Sequence, residues 1–157
     1  MQDHQYYLRK SLDVAKQSMN KGNLPFGCLL TGSAGEILLV GENTVITDKD
    51  AIAHCEINLV HQLKDKFDPE FLQQCTVYAS TEPCPMCSAA IFWSGIGSIV
   101  FALSKEGYHS VAQTSNPAHI MNMKAEEILN SGGRRVEITG PLLEGEAKLL
   151  YADWLGK

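Results

Sequence analysis

Two cysteines three positions apart, in the stretch TEPCPMC at residues 81–87, are the first candidates for chemistry in this chain. A proline precedes each of them, and the pattern predicts a helix that begins at the cysteines with Pro85 in its first turn. A helix start carries partial positive charge, which lowers the pKa of a thiol. Cys84 and Cys87 can therefore bind zinc, perform redox chemistry or pack in a core, and the motif alone leaves all three open.

A second motif favours metal binding by Cys84 and Cys87 over redox chemistry or core packing. A thioredoxin-like redox motif follows the first strand of its fold, whereas Cys84 comes after the third predicted strand. The stretch AHCEI, residues 53–57, supplies His54 and Glu56 at another predicted helix start. Two thiolates and one imidazole leave one tetrahedral position of zinc open for a water, which the metal activates as a nucleophile. Glu56 is two residues from the imidazole ligand and can accept the proton of that water.

Each residue also has an ordinary structural explanation. A single histidine is most often partly buried at a helix start, and a first-turn glutamate is favoured by the helix dipole. The conjunction of H-x-E with P-C-x-x-C is much rarer and is the known signature of zinc-dependent nucleobase deaminases. A non-catalytic structural zinc module is the alternative from another class, and it needs a fourth protein ligand, such as Glu56 or Cys55.

Hydrophobic periodicity predicts the elements that position these residues, in the order α-β-β-α-β-α-β-α-β-α. Helices are predicted over residues 6–22, 51–67, 84–95, 117–133 and 141–155. Strands are predicted over residues 25–31, 36–43, 75–80, 98–103 and 134–139. The first two strands read as an antiparallel hairpin, and the later alternation of strands and helices predicts parallel crossovers.

Composition limits the class of protein. The chain has 157 residues, 45% of them hydrophobic and 20% charged, which fits one soluble domain. Its net charge of −5 argues against nucleic-acid binding, which gains from positive charge. Five cysteines without a recognisable secretion signal indicate reduced thiols or metal ligands. We expect a cytoplasmic protein that does not cross a membrane.

The chain resembles the cytidine deaminase-like superfamily, in the branch that holds guanine deaminase, fungal-type cytosine deaminase and bacterial tRNA adenosine deaminases. The segments that carry this resemblance, in the order of the family, are LPFGCLL, GEN, AHCEI, TEPCPMC and AAIFWSGI. The resemblance implies a three-layer α-β-α sandwich around a five-stranded mixed sheet, with residues 1–157 as one deaminase domain. It also implies a homodimer.

The resemblance assigns catalytic roles to matching positions. His54, Cys84 and Cys87 match the ligands of one zinc ion per chain, and Glu56 matches the proton shuttle. Residue 55 is Cys where the family usually has Ala or Gly. We expect its side chain to face away from the metal, because adjacent helix positions point about 100° apart.

Substrate-binding positions follow from the same resemblance. Asn43 in GEN matches the asparagine that hydrogen-bonds the base, although a turn asparagine is the ordinary alternative. Phe26 and Trp93 match positions near the substrate, with packing against the sheet as their alternative. Tyr108, His109 and His119 lie where substrate-specific loops are expected. A loop histidine is usually solvated, and His109 is the candidate for recognising the base or its ring edge.

The implied activity is hydrolytic deamination of a free nucleobase or nucleoside of guanine or cytosine type. The acidic chain argues against the alternative, a tRNA adenosine deaminase. Residues 134–155, however, resemble the tail of tRNA and general deaminases more than that of guanine deaminases. Residues 104–120 show no match to the acidic residue that guanine deaminases carry after the fourth strand. The residues therefore leave the substrate open.

Overall fold

A five-stranded sheet forms the centre of the computed structural model, which describes residues 2–113, 118 and 120–156. The strands are β1 (Gly27–Thr31), β2 (Ile37–Glu42), β3 (Thr76–Thr81), β4 (Ser98–Leu103) and β5 (Glu137–Thr139). Their order in the sheet is β2-β1-β3-β4-β5. Strand β1 is antiparallel to β2 and β3, whereas β3, β4 and β5 are parallel. The predicted mixed sheet is confirmed.

Helices cover both faces of this sheet. They are α1 (His4–Asn20), α2 (Cys55–His61), α3 (Pro69–Leu72), α4 (Pro85–Ser94), α5 (Lys105–Ala112), α6 (Ala125–Leu129) and α7 (Glu144–Trp154). Helices α2, α4 and α6 pack together on one face, and α1, α5 and α7 lie on the other. The three-layer α-β-α architecture predicted from the sequence is therefore confirmed.

The central strands are buried on both faces, so their residues alternate between two cores. In β3, Val77 and Ala79 join the core under α2 and α4, while Tyr78 joins the core under α1 and α7. In β4, Ile99 and Val100 divide in the same way. These apolar runs hold the carboxyl ends of β3 and β4 side by side, next to the segments that carry the chemistry.

The segment after β4 differs most from the prediction. Residues 105–112 form helix α5, where the sequence was interpreted as a loop, and Ser104 caps this helix by accepting a hydrogen bond from the Gly107 N–H at 3.0 Å. The helix predicted over residues 117–133 is wrong for most of its described part, because only Ala125–Leu129 is helical. Its N-cap, Lys124, has an extended backbone that ends helical geometry on that side.

Two other helix boundaries belong to α2 and α4, the helices that begin at the candidate metal ligands. Helix α2 begins at Cys55, later than predicted, because residues 51–54 form a turn and an extended N-cap. Helix α4 ends at Gly95, as predicted, and this glycine has a left-handed φ of 90° that disfavours other residues. No helix in the described part of the chain has the length and apolar character that crossing a membrane requires.

Candidate active site

Two helix starts bring the candidate metal ligands together. Cys84 is the N-cap of α4, three residues after the end of β3, with Pro85 as the first helical residue. His54 is the N-cap of α2. Both N-caps have extended backbone, and α2 packs against α4. The strand, the proline and the helix contact therefore fix the ligands through the backbone.

The ligand atoms have the spacing that zinc requires. The Nδ1 atom of His54 lies 3.6 Å from Cys84 Sγ and 3.5 Å from Cys87 Sγ. Zinc–sulfur bonds of about 2.3 Å and zinc–nitrogen bonds of about 2.0–2.1 Å, at tetrahedral angles, place N and S atoms about 3.5 Å apart. The three ligand atoms lie within 4.8 Å of one another. The donor set thus fits tetrahedral zinc and leaves its fourth position to a non-protein ligand.

The helix start also stabilises a thiolate. The pKa of Cys84 is lowered to about 4, first by the hydrogen bond from the Cys87 thiol and then by that from His54. The backbone N–H of Cys87 also points at Cys84 Sγ, at 3.5 Å. The pKa of Cys87 is raised, because its thiol donates to Cys84 and is buried. These hydrogen bonds favour the thiolate form of Cys84, which is the form that binds a metal.

Glu56 lies in the first turn of α2 and lines the same cavity as His54 and Cys84. Its side chain is buried, and this burial raises the pKa of its carboxyl. A carboxyl with a raised pKa exchanges protons more readily near neutral pH, as a proton shuttle must. Cys55, its neighbour, lies instead in the hydrophobic core beside Cys28 and does not join the ligand cluster.

A close approach of β2 to α2 fixes the position of these residues. A Cβ atom on Gly41 of β2 would lie 2.2 Å from the Cys55 carbonyl oxygen, so only glycine fits here. The absence of a side chain lets the strand pass directly beside the helix start. The spacing of His54 and Glu56 relative to the sheet therefore depends on a residue outside both motifs.

Asn43 follows β2 and lines the cavity with one side of its amide free. Its Oδ1 accepts a hydrogen bond from the Val45 N–H at 3.1 Å, while Nδ2 has no hydrogen-bond partner within the described ranges. Asn58 of α2 holds this segment, because its Nδ2 donates to the Glu42 carbonyl at 2.7 Å and to Thr44 Oγ1 at 2.9 Å. Asn43 can therefore offer two N–H donors to a ligand.

A cavity of about 420 Å³ joins these residues, within the roughly 300–1,000 Å³ of small-molecule sites. Its described lining is Leu24, Phe26, Asn43, His54, Glu56, Thr81, Glu82, Cys84, Lys105, Tyr108, His109, Ile120 and Met121. Most of its exposed lining is apolar, with the polar groups concentrated at the ligand cluster and on α5. Such a cavity suits a flat heterocycle with a few hydrogen-bonding positions.

Three packed aromatic rings, two of which line the cavity, support it from the side of α5 and α7. The ring centroids of Phe26, Tyr108 and Tyr151 lie 5.3–5.6 Å apart in every pairing. The Tyr151 hydroxyl on α7 shares hydrogen bonds with Ser80 and Thr81 at the end of β3. Phe26, predicted near the substrate, thus lines the cavity and also belongs to a packed cluster. This cluster ties α5 to the segment that leads into the zinc motif.

Helix α5 contributes two polar residues to the cavity, Lys105 and the predicted His109. Lys105 is not among the predicted site residues, because the sequence between the predicted strand at 98–103 and the predicted helix at 117–133 indicates a loop. The signal was present in Ser104, which is a favoured N-cap residue and is followed three positions later by a glycine that it caps. His119, the other histidine of the expected loop region, lies outside the described residues.

Glu82 is a second residue that sequence reasoning missed. Its two carboxylate oxygens accept hydrogen bonds from the backbone N–H groups of Lys105 and Ala125, each at 2.9 Å. Each donor is the first residue of a helix, where N–H groups lack intrahelical partners. Glu82 stands two residues before Cys84, so one carboxylate fixes α5 and α6 relative to the metal ligands.

Trp93 lies away from this cavity. It is 82% exposed on α4, and its ring contacts Phe92 with centroids 5.6 Å apart. It is not among the described residues that line the cavity. The predicted contact between Trp93 and a substrate in the same chain therefore has no support in the structure, because the helix turns this side chain towards solvent.

Comparisons with known proteins agree with this arrangement. The sequence profile of the cytidine and deoxycytidylate deaminase zinc-binding region matches residues 1–103. A probable cytosine deaminase of Schizosaccharomyces pombe is 37% identical over 142 residues, which cover 90% of this chain and 85% of that protein. A tRNA-specific adenosine deaminase of Aquifex aeolicus is 30% identical over 112 residues, which cover 71% of this chain and 74% of that protein.

Solved structures show the same fold. A guanine deaminase from Nitrosomonas europaea superposes with a TM-score of 0.83 at 21% identity, and the match covers 100% of this chain and 87% of that chain. These relatives are deaminases, which are hydrolases acting on C–N bonds. With the matched profile and the ligand cluster in place, the chain belongs to the cytidine and deoxycytidylate deaminase zinc-binding family.

Proposed function

We propose that this chain is a zinc-dependent hydrolytic deaminase of a free nucleobase or nucleoside of guanine or cytosine type. One observation carries the proposal. The three ligand atoms of His54, Cys84 and Cys87 have tetrahedral zinc spacing at one end of a cavity that also contains the buried Glu56. A site with three protein ligands and an adjacent carboxyl is built for catalysis, whereas a structural zinc site has four protein ligands.

Zinc fits the donor set, with His54 Nδ1 and the sulfurs of Cys84 and Cys87 as its ligands. When bound, the metal supplies Lewis acidity that lowers the pKa of a water towards neutrality. The thiolate that the α4 helix start stabilises on Cys84 favours this binding, because thiols must lose their protons to bind zinc. One zinc ion per chain follows from the three ligands.

Glu56 moves the protons of the proposed reaction. Its carboxylate accepts a proton from the attacking water and delivers one to a ring nitrogen and then to the leaving amine. The carbon–nitrogen bond breaks, ammonia departs, and the water oxygen remains on the ring as an oxo group. Burial suits Glu56 to this role, because it raises the pKa of the carboxyl and so makes the protonated form more accessible.

The remaining cavity residues hold the heterocycle. Asn43 offers its Nδ2 donors to the ring edge, and Phe26 presents an apolar ring to the face of a flat base. His109 supplies a further polar contact from α5. The apolar lining between these groups excludes bulk water, which strengthens each hydrogen bond to the substrate.

A free base or nucleoside is favoured over tRNA by charge. The net charge of −5 gives little of the phosphate attraction on which RNA binding depends. The probable cytosine deaminase of Schizosaccharomyces pombe supports a pyrimidine substrate, because its 37% identity exceeds the 30% of the Aquifex aeolicus tRNA enzyme. We also propose a homodimer in the cytoplasm, with the exposed Trp93 of α4 as a candidate contact.

Ammonia release by zinc-loaded protein tests the proposal. The panel contains cytosine, guanine, adenine and isoguanine, their nucleosides, and a tRNA anticodon stem-loop. We expect turnover of at least one free base or nucleoside and loss of that turnover in the Glu56→Gln variant with zinc retained. Turnover of the stem-loop alone would show that net charge is a poor guide here, and zinc binding without any turnover would contradict the proposed activity.

A further inference from the structure

Helix α5 places a buried cation in the active-site cavity. Lys105 is its first residue, and this lysine lines the cavity although it is only 7% exposed. Lysine is almost never buried to this degree unless its ammonium group is paired. Its Nζ donates one hydrogen bond, to the Met121 carbonyl oxygen at 3.2 Å. None of the ion pairs found in residues 2–113, 118 and 120–156 involves Lys105.

The acidic group on the same wall does not pair with this ammonium. Glu82 also lines the cavity, but its two oxygens accept the backbone N–H groups of Lys105 and Ala125. An ammonium has three donors, and the described part of the chain provides an acceptor for one of them. Removing a cation from water costs free energy. A buried ammonium with unused donors is therefore explained best by a ligand that brings an acceptor.

A second incompletely paired group lies one helical turn away. His109 is four residues after Lys105, so the two side chains share one side of α5, and both line the cavity. The Nδ1 atom of His109 is buried and has no hydrogen-bond partner in the part of the chain that the structure describes. Two residues of one helix side thus keep hydrogen-bonding capacity that the described residues do not use.

Resting on the proposed deaminase activity, we propose that Lys105 is a specificity-determining residue that binds a negatively polarised oxygen of the substrate. The substrate class is an amino-heterocycle with an oxo group, or with an anionic substituent such as phosphate, away from the amine. His109 provides the second polar contact to this edge. The wall formed by Lys105 and His109 therefore recognises the edge of the substrate that does not react.

The expected size of the effect follows from the chemistry of the contact. A hydrogen bond to a charged group in a desolvated site contributes enough to change affinity roughly 10- to 100-fold. An analogue that lacks the oxygen leaves the buried ammonium with the Met121 carbonyl as its one acceptor in the described part of the chain, so discrimination between the two ligands falls in the same range. Loss of the lysine removes this discrimination and leaves the contacts of Asn43 and Phe26 in place.

Binding to the zinc-loaded Glu56→Gln protein tests the inference without turnover. Calorimetry compares matched ligands: cytosine with 4-aminopyrimidine, guanine with 2-aminopurine, and cytidine with its 5′-monophosphate. Lys105→Met removes the charge at similar length, and Lys105→Arg retains a cation. Lys124→Met is the control, because Lys124 is exposed, pairs with Glu106 at 3.6 Å and lies outside the described lining of the cavity.

We expect Lys105→Met to weaken the oxygen-bearing member of one pair roughly 10- to 100-fold and its partner less than about twofold. Lys105→Arg should retain most of the discrimination, and Lys124→Met all of it. Weakening of cytosine or guanine assigns a ring oxo group, whereas weakening confined to the monophosphate assigns a phosphate. The melting temperature of Lys105→Met should stay unchanged or rise, because an unpaired buried charge has been removed.

Other outcomes overturn the inference. Equal weakening of both members of every pair, together with a lower melting temperature, would assign Lys105 a purely structural role. Absence of discrimination in the protein that keeps Lys105 would also overturn it. Ammonia release by the unsubstituted enzyme is measured in parallel. If this enzyme turns over a substrate but Lys105→Met still discriminates between the paired ligands as well as the unsubstituted protein does, this inference alone is contradicted. Absence of turnover on the whole panel contradicts the proposed function instead.

Discussion

The ligand cluster and the wall formed by Lys105 and His109 of α5 belong to the same cavity but are positioned in different ways. His54 and Cys84 are N-caps, so their positions are set by the backbone at two helix starts. Lys105 and His109 project from one side of a helix that is positioned by Glu82 and by packed aromatic rings. The positions of the metal ligands therefore depend on local backbone geometry. The side chains of Lys105 and His109 can instead be substituted without displacing the backbone that carries them.

This difference has a consequence for the energetics of substitution. A ligand atom displaced from tetrahedral spacing loses a metal bond entirely, while a lost contact on α5 removes one of several interactions with the substrate. Substitutions at the cluster should therefore abolish the activity, and substitutions on the wall should change which compound is used. The following variants separate these two behaviours.

The largest effect is expected from Cys87→Ala. This change removes one of three protein ligands, so we expect loss of bound zinc and activity below detection. Zinc content by mass spectrometry and ammonia release measure the two effects together. Cys75→Ala is the matched control, because Cys75 is also buried but lies outside the ligand cluster. Full zinc content and activity in Cys87→Ala would contradict the assignment of this ligand.

Glu56→Gln should be almost as damaging but without loss of metal. The amide keeps the shape of the side chain and cannot take up the proton, so we expect kcat to fall roughly 10²- to 10⁴-fold with zinc retained. Steady-state kinetics with metal analysis distinguish this variant from Cys87→Ala. Glu126→Gln, at an exposed position of α6, serves as the control. Near-normal kcat in Glu56→Gln would remove Glu56 from the mechanism.

Asn43→Asp should have an intermediate effect. The new side chain keeps the oxygen that accepts from the Val45 N–H, but it has no donors for the substrate. We expect kcat/KM to fall about 10- to 100-fold while zinc content is unchanged. The melting temperature checks that the fold persists, and Asn20→Asp at an exposed position is the control. Unchanged kcat/KM would show that the Asn43 side chain only stabilises the turn, through its hydrogen bond with the Val45 N–H.

Trp93→Ala should have the smallest effect on the cavity itself. Because Trp93 is 82% exposed and lies outside the described lining, we expect kcat/KM to stay within about twofold. Sedimentation velocity measured on the same samples tests its proposed place at a dimer contact. Leu149→Ala, at a residue that is 72% exposed on α7, is the matched control. A large loss of kcat/KM at high protein concentration would restore Trp93 to the substrate site.

The sequence allowed much of the fold to be predicted, for physical reasons that differ along the chain. The core strands are continuous apolar runs, so β4 matches its predicted range of 98–103. The segment after β4 was harder to interpret, because α5 depends on its Ser104 cap and on its packing against α7. Its polar composition resembles that of a loop, so the local Ser104 cap was the one signal for a helix, and packing against α7 stabilises that helix.

The sequence by itself determined which residue types could perform the chemistry. The H-x-E and P-C-x-x-C motifs place their members at helix starts, where local backbone rules apply, and the structure brings His54, Cys84 and Cys87 within 4.8 Å. Only the tertiary structure decided that Lys105 faces the cavity and that Trp93 does not. The direction of a helical side chain depends on how the helix packs, and that packing is set by residues distant in the chain.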